Sequence, residues 1–180
     1  TADLSAIEAV AREIASSLRK FRVIVEKSTV PVATGSRMKT VITKYRPQDV
    51  EFEVASNPEF LREGCAMEDA MNPDRIVLGV ESTRAEKILR KVYKPFKAPV
   101  LVTNMKSAEL IKHASNAFLA TKISFANALA GICEAAGADV MEVTRGMGMD
   151  RRIGPAFLNA GIGYGGSCFP KDVAAFEAIS

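Results

Sequence analysis

The chain has 180 residues, 48% of them apolar and 25% charged, with a formal net charge of +3 from 24 basic and 21 acidic side chains. That apolar content suits one sizeable core, or one domain and part of another. There is no long basic run and no basic stripe with interleaved aromatics, which speaks against a nucleic-acid partner. No apolar stretch approaches the ~20 residues that span a bilayer, so a membrane role is not expected either. The cysteines, Cys65, Cys133 and Cys168, are odd in number and widely spaced. This argues against a disulfide framework and a zinc site, and it fits a reducing cytoplasm. His113 is the single histidine, so any Cys-His pair would depend on it. The chain opens at Thr1 directly into a helical pattern and closes at Ser180 inside another. Both ends therefore read as cuts in a longer protein, with no signal peptide visible.

Residues 3–20 place Leu4, Ile7, Val10, Ala11, Ile14 and Leu18 on one helical face, with Asp3 or Ser5 as cap. RVIVE at 22–26 is a β-branched run and reads as a buried strand. A helix follows over 35–45, then strands at 52–56 (FEVAS) and 75–80 (RIVLGV), a helix from Ser82 to Phe96 with Ser82 as cap, and a strand at 99–103. This alternation predicts a parallel sheet covered by helices. From residue 105 the strands stop. Residues 105–136 form one long apolar-rich helical pattern with Gly137 as its stop, and Asp139 begins another helix. The chain thus divides into an α/β part, 1–104, and an all-helical part, 105–180.

Residues 161–166, GIGYGG, match G-x-G-x-x-G in form. They are no dinucleotide fingerprint, because no strand precedes them and too little chain follows for the acidic ribose partner. A loop whose backbone comes close to a ligand is the preferred reading, and a plain flexible turn is the other. Cys168 lies in GGSCFPKD, where Pro170 suits the first turn of a helix. The helix dipole and Lys171 then favour the nucleophilic thiolate, and Asp172, four residues on, can return toward the thiol. Cys133 reads as core.

Lys112 and Asn116 are four apart in an apolar helix. On one face they could hold an oxyanion, or they could form a solvated stripe. His113 points elsewhere and reads as structural. Glu59 and Glu63 are also four apart, and Pro58 can start a helical turn that aligns them for acid–base work. They could equally be ordinary helix-dipole partners. Thr29 follows a strand, at the edge where open α/β sheets bind ligands. Arg151 and Arg152 suit anions, or form an exposed basic turn.

The ordered segments VEKSTVP, NPEFLREG, NPDRIVLG, ELIKHASNAF, GMDRRIG and GIGYGGSCFPKD resemble those of the UDP-glucose/GDP-mannose dehydrogenase family. The likeness runs from end to end of the chain, and phenylalanine after the cysteine is similar to the UDP-glucose branch. The resemblance implies a partial Rossmann-like parallel sheet, the C-terminal part of an NAD-binding domain, over 1–104. It implies a truncated central helical dimerisation and catalytic domain over 105–180. It implies NAD as cofactor, UDP-glucose as substrate, and oxidation of the sugar's primary alcohol to the carboxylate of UDP-glucuronate by two successive hydride transfers.

By the same resemblance, Cys168 forms the thiohemiacetal and thioester, Lys112 and Asn116 stabilise oxyanions, Asp172 with Thr29 positions water, and Glu59 assists proton transfer. Ser28, Thr29, Val30, Glu63 and Lys171 face the cofactor. Glu59, Phe60, Leu61, Arg62, Lys112, Asn116, Asn159, Gly163, Tyr164 and Gly165 contact the sugar nucleotide. Arg152 reaches the substrate of a neighbouring subunit in a homodimer or higher homo-oligomer, joined through the long helix. The family's dinucleotide fingerprint lies N-terminal to this segment, so weak NAD binding and little turnover are expected of the 180 residues alone. The alternatives are a related GDP-mannose or UDP-N-acetyl-sugar dehydrogenase, a non-catalytic dimerisation fragment, or a 6-phosphogluconate-type dehydrogenase that needs no nucleophilic cysteine.

Overall fold

The structure is a computed structural model that describes residues 3–178. It divides into two compact units, Thr1–Lys112 and His113–Ser180. The first holds α1 (Ser5–Ser17), β1 (Arg22–Glu26), α2 (Thr34–Tyr45), β2 (Phe52–Ser56), α3 (Ala66–Met71), β3 (Ile76–Gly79), α4 (Thr83–Tyr93) and β4 (Val100–Thr103). The helix α5 (Met105–Ala136) starts in this unit and continues into the second, which also holds α6 (Val140–Gly148) and α7 (Phe169–Glu177).

The four strands form one sheet in the order β1-β2-β3-β4. β1 pairs with β2 in parallel, from Arg22–Phe52 to Glu26–Ser56, and β3 pairs with β4 in parallel, from Ile76–Val100 to Gly79–Thr103. The central pair departs from the all-parallel expectation, since β2 meets β3 antiparallel at Ser56–Gly79. A parallel re-entry needs a crossover packed over the sheet. The only helix between β2 and β3 is α3, which buries none of its residues. The chain therefore turns back beside β2.

Apolar side chains fill both faces of the sheet. On one, Ile24 and Val54 pack with Ala11, Ala15 and Leu18, with Met38 and Ile42 of α2, and with Met105. On the other, Ala55, Ile76 and Leu78 pack with Leu89 of α4. Val10, placed by its spacing on the buried face of α1, is exposed. The α1 surface turned to the core is the narrower stripe through Ala11 and Ala15, whose small side chains allow close approach. Leu4 is the N-cap of α1, and the Asp3 carboxylate accepts the Ser5 N–H at 2.9 Å. Ser82 caps α4 as expected, its Oγ accepting the Ala85 N–H at 3.1 Å.

Gly79, at the end of β3, is where the sheet meets the start of α5. A Cβ there would stand 2.6 Å from the Ala108 Cβ and 2.8 Å from the Met105 Cα. Backbone would have to move, so Gly79→Ala is expected to destabilise the chain by about 1–3 kcal/mol in urea denaturation. A change near zero would mean that α5 is not seated there.

In the second unit, α5 ends in a Schellman motif. Gly137 takes φ +70°, and the Ala138 N–H reaches back to the Cys133 carbonyl at 2.9 Å. Asp139 caps α6, accepting the Met141 N–H at 2.8 Å. Cys133 is buried, as its setting in the apolar helix predicts.

Candidate active site

In the first unit, β1 delivers Ser28, Thr29 and Val30 to the carboxyl end of a parallel pair. The Glu26 carboxylate accepts the Ser28 N–H at 2.6 Å and bends the chain away from the strand. Ser28 is exposed, Thr29 half-buried and Val30 buried. This leaves two hydroxyls on the edge where open α/β sheets take ligands.

The stretch after β2 is irregular. Pro58 starts no helical turn, so Glu59 and Glu63 are not aligned on a helix face as the sequence suggested. Four contacts account for this. The Asn57 N–H bonds to the Glu26 carbonyl (2.8 Å) and its carboxamide to the Val77 carbonyl (2.8 Å), which ties the chain across the sheet. Glu59 Oε2 accepts the Leu61 N–H (2.6 Å). Arg62 grips Asp69 at the start of α3 (2.6 Å). That pairing holds the Asp69 carboxyl below its ordinary range and raises the Arg62 guanidinium. Glu63 is exposed beside Gly64, which takes φ +83°.

The other oxygen of Glu59 meets Lys112. Nζ lies 3.3 Å from Oε1, and the lysine side chain is 6% exposed. Phe60 lies between cations, with Arg75 3.9 Å and Lys112 5.5 Å from its ring centroid. Lys112 and Asn116 are therefore not a solvated stripe, since both are buried. Beneath the Glu59 loop, Asn57 Oδ1 accepts from Lys27 Nζ (3.1 Å) and from the Tyr93 hydroxyl. Burial lowers the Lys27 ammonium, opposed by the charge of Glu59, and raises the Tyr93 phenol.

In the second unit, Cys168 is the N-cap of α7, and Pro170 occupies the first turn. Its carbonyl accepts the Asp172 N–H at 2.9 Å. Its thiol is exposed, 3.7 Å from the Ser167 hydroxyl. The bonded partner of the Asp172 carboxylate is not the thiol but Asn116, whose carboxamide donates to Oδ2 at 2.6 Å. Asp172 is 1% exposed, and its other oxygen, Oδ1, has no hydrogen-bond partner among the described residues. Lys171 Nζ lies 3.8 Å from that oxygen, within ion-pair range but too far for a hydrogen bond. One buried carboxylate oxygen, one helical turn beyond the capping cysteine, is thus without a hydrogen bond among the described residues.

The glycine loop is anchored in two ways that its sequence did not announce. The Gly161 N–H bonds to Asn127 Oδ1 of α5 at 2.7 Å. Tyr164 packs edge-on against Phe169, with centroids 6.0 Å apart, and Phe157 does so from 6.3 Å. Phe169 thus couples the loop to the start of α7. Asn159, Gly163, Tyr164 and Gly165 are exposed, and a Cβ on Gly163 or Gly165 would meet no atom of the described residues within 4 Å. Gly163 takes φ +118°, which favours glycine. Arg152 is exposed, with its fork on Asp150 at 2.7 Å.

Comparison with known proteins bears on these features directly. Residues 1–97 match the family model described as UDP-glucose/GDP-mannose dehydrogenase family, NAD binding domain, and residues 106–180 match the central domain of the same family. The chain belongs to the UDP-glucose/GDP-mannose dehydrogenase family.

Within this family the chain is 53% identical over 179 residues to the UDP-glucose 6-dehydrogenase TuaD of Bacillus subtilis, covering 99% of this chain and 39% of that protein. It is 52% identical over 179 residues to the UDP-glucose 6-dehydrogenase of Rhizobium meliloti, covering 97% of this chain and 41% of that one. The solved structure of a UDP-glucose dehydrogenase from the archaeon Pyrobaculum islandicum superposes with a TM-score of 0.95 at 46% identity, over 99% of this chain and 42% of its own. The chain therefore spans about two fifths of the length of these relatives.

Proposed function

We propose that this chain carries the reacting centre of an NAD-dependent dehydrogenase that oxidises the primary alcohol of UDP-glucose to the carboxylate of UDP-glucuronate. The observation that carries the reading is the helix start in the second unit. An exposed thiol caps α7, and one turn on lies a buried carboxylate with one oxygen bonded to Asn116 and the other open. Identity of 53% and 52% to two UDP-glucose 6-dehydrogenases supports the choice of sugar nucleotide.

The residues at the carboxyl end of β1 fit a nicotinamide cofactor. Ser28 and Thr29 offer hydroxyls, and buried Val30 provides an apolar floor. Glu63 and Lys171 complete the cofactor-facing set. Bound NAD supplies the hydride acceptor for each oxidation step. Cys168 adds to the C6 aldehyde, forming a C–S bond, and the carbonyl oxygen takes the proton. The aldehyde is thereby retained until its second hydride is removed and a thioester results. Lys112 and Asn116 stabilise the oxygen that becomes negative before and after that step. Asp172, through Oδ1, and Thr29 hold the water that attacks the thioester. Glu59 takes the water's proton, and the thiol is regenerated. Phe60, Leu61 and Arg62 line the sugar side with Glu59. Asn159, Gly163, Tyr164 and Gly165 close over the nucleotide, and Arg152 serves the substrate of a neighbouring subunit. The overall change consumes one water and reduces two NAD.

A homo-oligomeric assembly belongs to the same reading. Phe118, Phe125 and Ile132 recur every seven residues along α5 and are 66%, 52% and 64% exposed. A stripe at that spacing suits a second helix. Sedimentation should show a dimer or larger species, and Phe118→Glu with Phe125→Glu should yield monomer. A monomeric parent chain would remove this part of the proposal. Among the described residues, no helix is long and apolar enough to cross a membrane. With Cys65 and Cys168 exposed and free, a reducing cytoplasm is the proposed location.

The function is tested in a chimera in which this chain replaces the matching residues of the B. subtilis relative, assayed for NADH formation with UDP-glucose, GDP-mannose and UDP-N-acetyl sugars. Two NADH per UDP-glucose, and acid as product, are expected. A faster reaction with another nucleotide sugar would reassign the substrate.

A further inference from the structure

The connection from β1 to α2 carries Ser28, Thr29 and Val30, and the N-cap at its far end makes no side-chain cap hydrogen bond of its own. Ala33, the N-cap of α2, takes φ +76° and offers no side-chain acceptor. The acceptor comes from α5. Glu109, 3% exposed, accepts the Ala33 N–H through Oε2 at 2.6 Å and the Gly35 N–H through Oε1 at 2.8 Å. A carboxylate at a helix N-terminus is favoured both by the dipole and by charge-assisted hydrogen bonds. The link continues backward from there. Thr34 donates its N–H and its hydroxyl to the Pro31 carbonyl, at 3.2 and 2.6 Å, and Val30 beside Pro31 is buried. Glu109 stands one helical turn before Lys112 on α5, so the same turn grips the connection and bears the lysine.

We propose that Glu109 is a positioning residue that sets the cofactor-facing connection, residues 28–30, against the turn of α5 that carries Lys112. This rests on the reading in which Ser28–Val30 face the nicotinamide. Gly35 is part of the device. A Cβ on it would stand 3.0 Å from the Met105 Sδ and 3.2 Å from the Glu109 Oε1, so a side chain there would push the carboxylate by a few tenths of an ångström. Glutamine cannot substitute for Glu109. Its amide nitrogen is a donor and would face one of the two N–H groups.

The test is Glu109→Gln, followed by amide exchange in the chain and by kinetics in the chimera. Exchange is expected to quicken not only at 33–35 but also at 28–30, by about tenfold, the lower part of the range for one lost buried hydrogen bond. KM for NAD is expected to rise about tenfold while KM for UDP-glucose stays within about twofold, since only the cofactor side is displaced. Faster exchange confined to 33–35, with both KM values unchanged and only the melting temperature lowered, would make Glu109 a plain helix cap and overturn the proposal. If Glu109→Gln does not fold, Gly35→Ala keeps the charge and shifts the carboxylate. The same selective rise in KM for NAD supports the proposal, and unchanged KM values overturn it. If the parent chimera oxidises no nucleotide sugar, the functional reading fails, and the reach of the exchange change, to 28–30 or only to 33–35, decides on Glu109.

Discussion

Cys168→Ala in the chimera is expected to abolish formation of UDP-glucuronate, a fall of at least about a thousandfold, because the thiol that holds the aldehyde covalently between the two oxidations is gone. The fold should be untouched. Cys168 is exposed at the start of α7, and its part in the helix is played by its backbone carbonyl, which alanine keeps. The melting temperature is therefore expected to stay within about two degrees of the parent, as for other exposed substitutions. Rapid-quench product analysis with a carbonyl-trapping reagent checks the result. The expected outcome is loss of acid, with at most traces of trapped aldehyde. Acid formation within about tenfold of the parent would discard the thioester route.

Lys112→Met is expected to lower kcat by about a hundred- to a thousandfold, the usual loss when one preorganised oxyanion donor is removed. Methionine keeps the length and apolar stem of the side chain, so packing is nearly conserved. What disappears is the ammonium beside Glu59, 3.3 Å away. The charge matters more here than on a surface, since the lysine is buried and competing water is scarce. KM for UDP-glucose should change only a few-fold, because the interaction strengthens as the oxygen gains charge. Lys112→Arg should not restore activity. A planar guanidinium cannot take the place of a compact ammonium in a filled site. Retention of kcat within about tenfold in Lys112→Met would assign Lys112 to holding the Glu59 loop rather than to the chemistry.

The two residues also mark how far local pattern reaches. That Cys168 would cap a helix was legible from Pro170, because proline's fixed φ suits a first turn and little else. That Lys112 would be buried was not legible. Four-residue spacing gives two side chains one face but does not say whether that face meets solvent or protein. The Glu59 region failed for a related reason. Glu-x-x-x-Glu after a proline satisfies the local rules for a helix start, yet the backbone there is held by Asn57, which bonds to Glu26 and Val77 on other strands. Those partners lie far along the chain, and no window of residues contains them.

The sequence by itself determined the elements: four apolar strands, the helices α1, α2 and α4 to α7, the cap Ser82, the start of α6 near Asp139, the stop at Gly137, and the ordered segments that mark the family. Each follows from short-range sterics, periodicity and capping, which act within a few residues. Tertiary structure alone decided the antiparallel β2–β3 pair, the Asn116–Asp172 bond, the anchoring of the glycine loop by Asn127 and Phe169, and the capping of α2 by Glu109. In most of these a polar group finds its partner dozens of residues away, in the ring contacts an aromatic group meets another across an irregular loop, and a strand's direction depends on whether a helix covers the sheet. Such choices are made by the satisfaction of buried groups in a packed interior, and that interior exists only once the chain has folded.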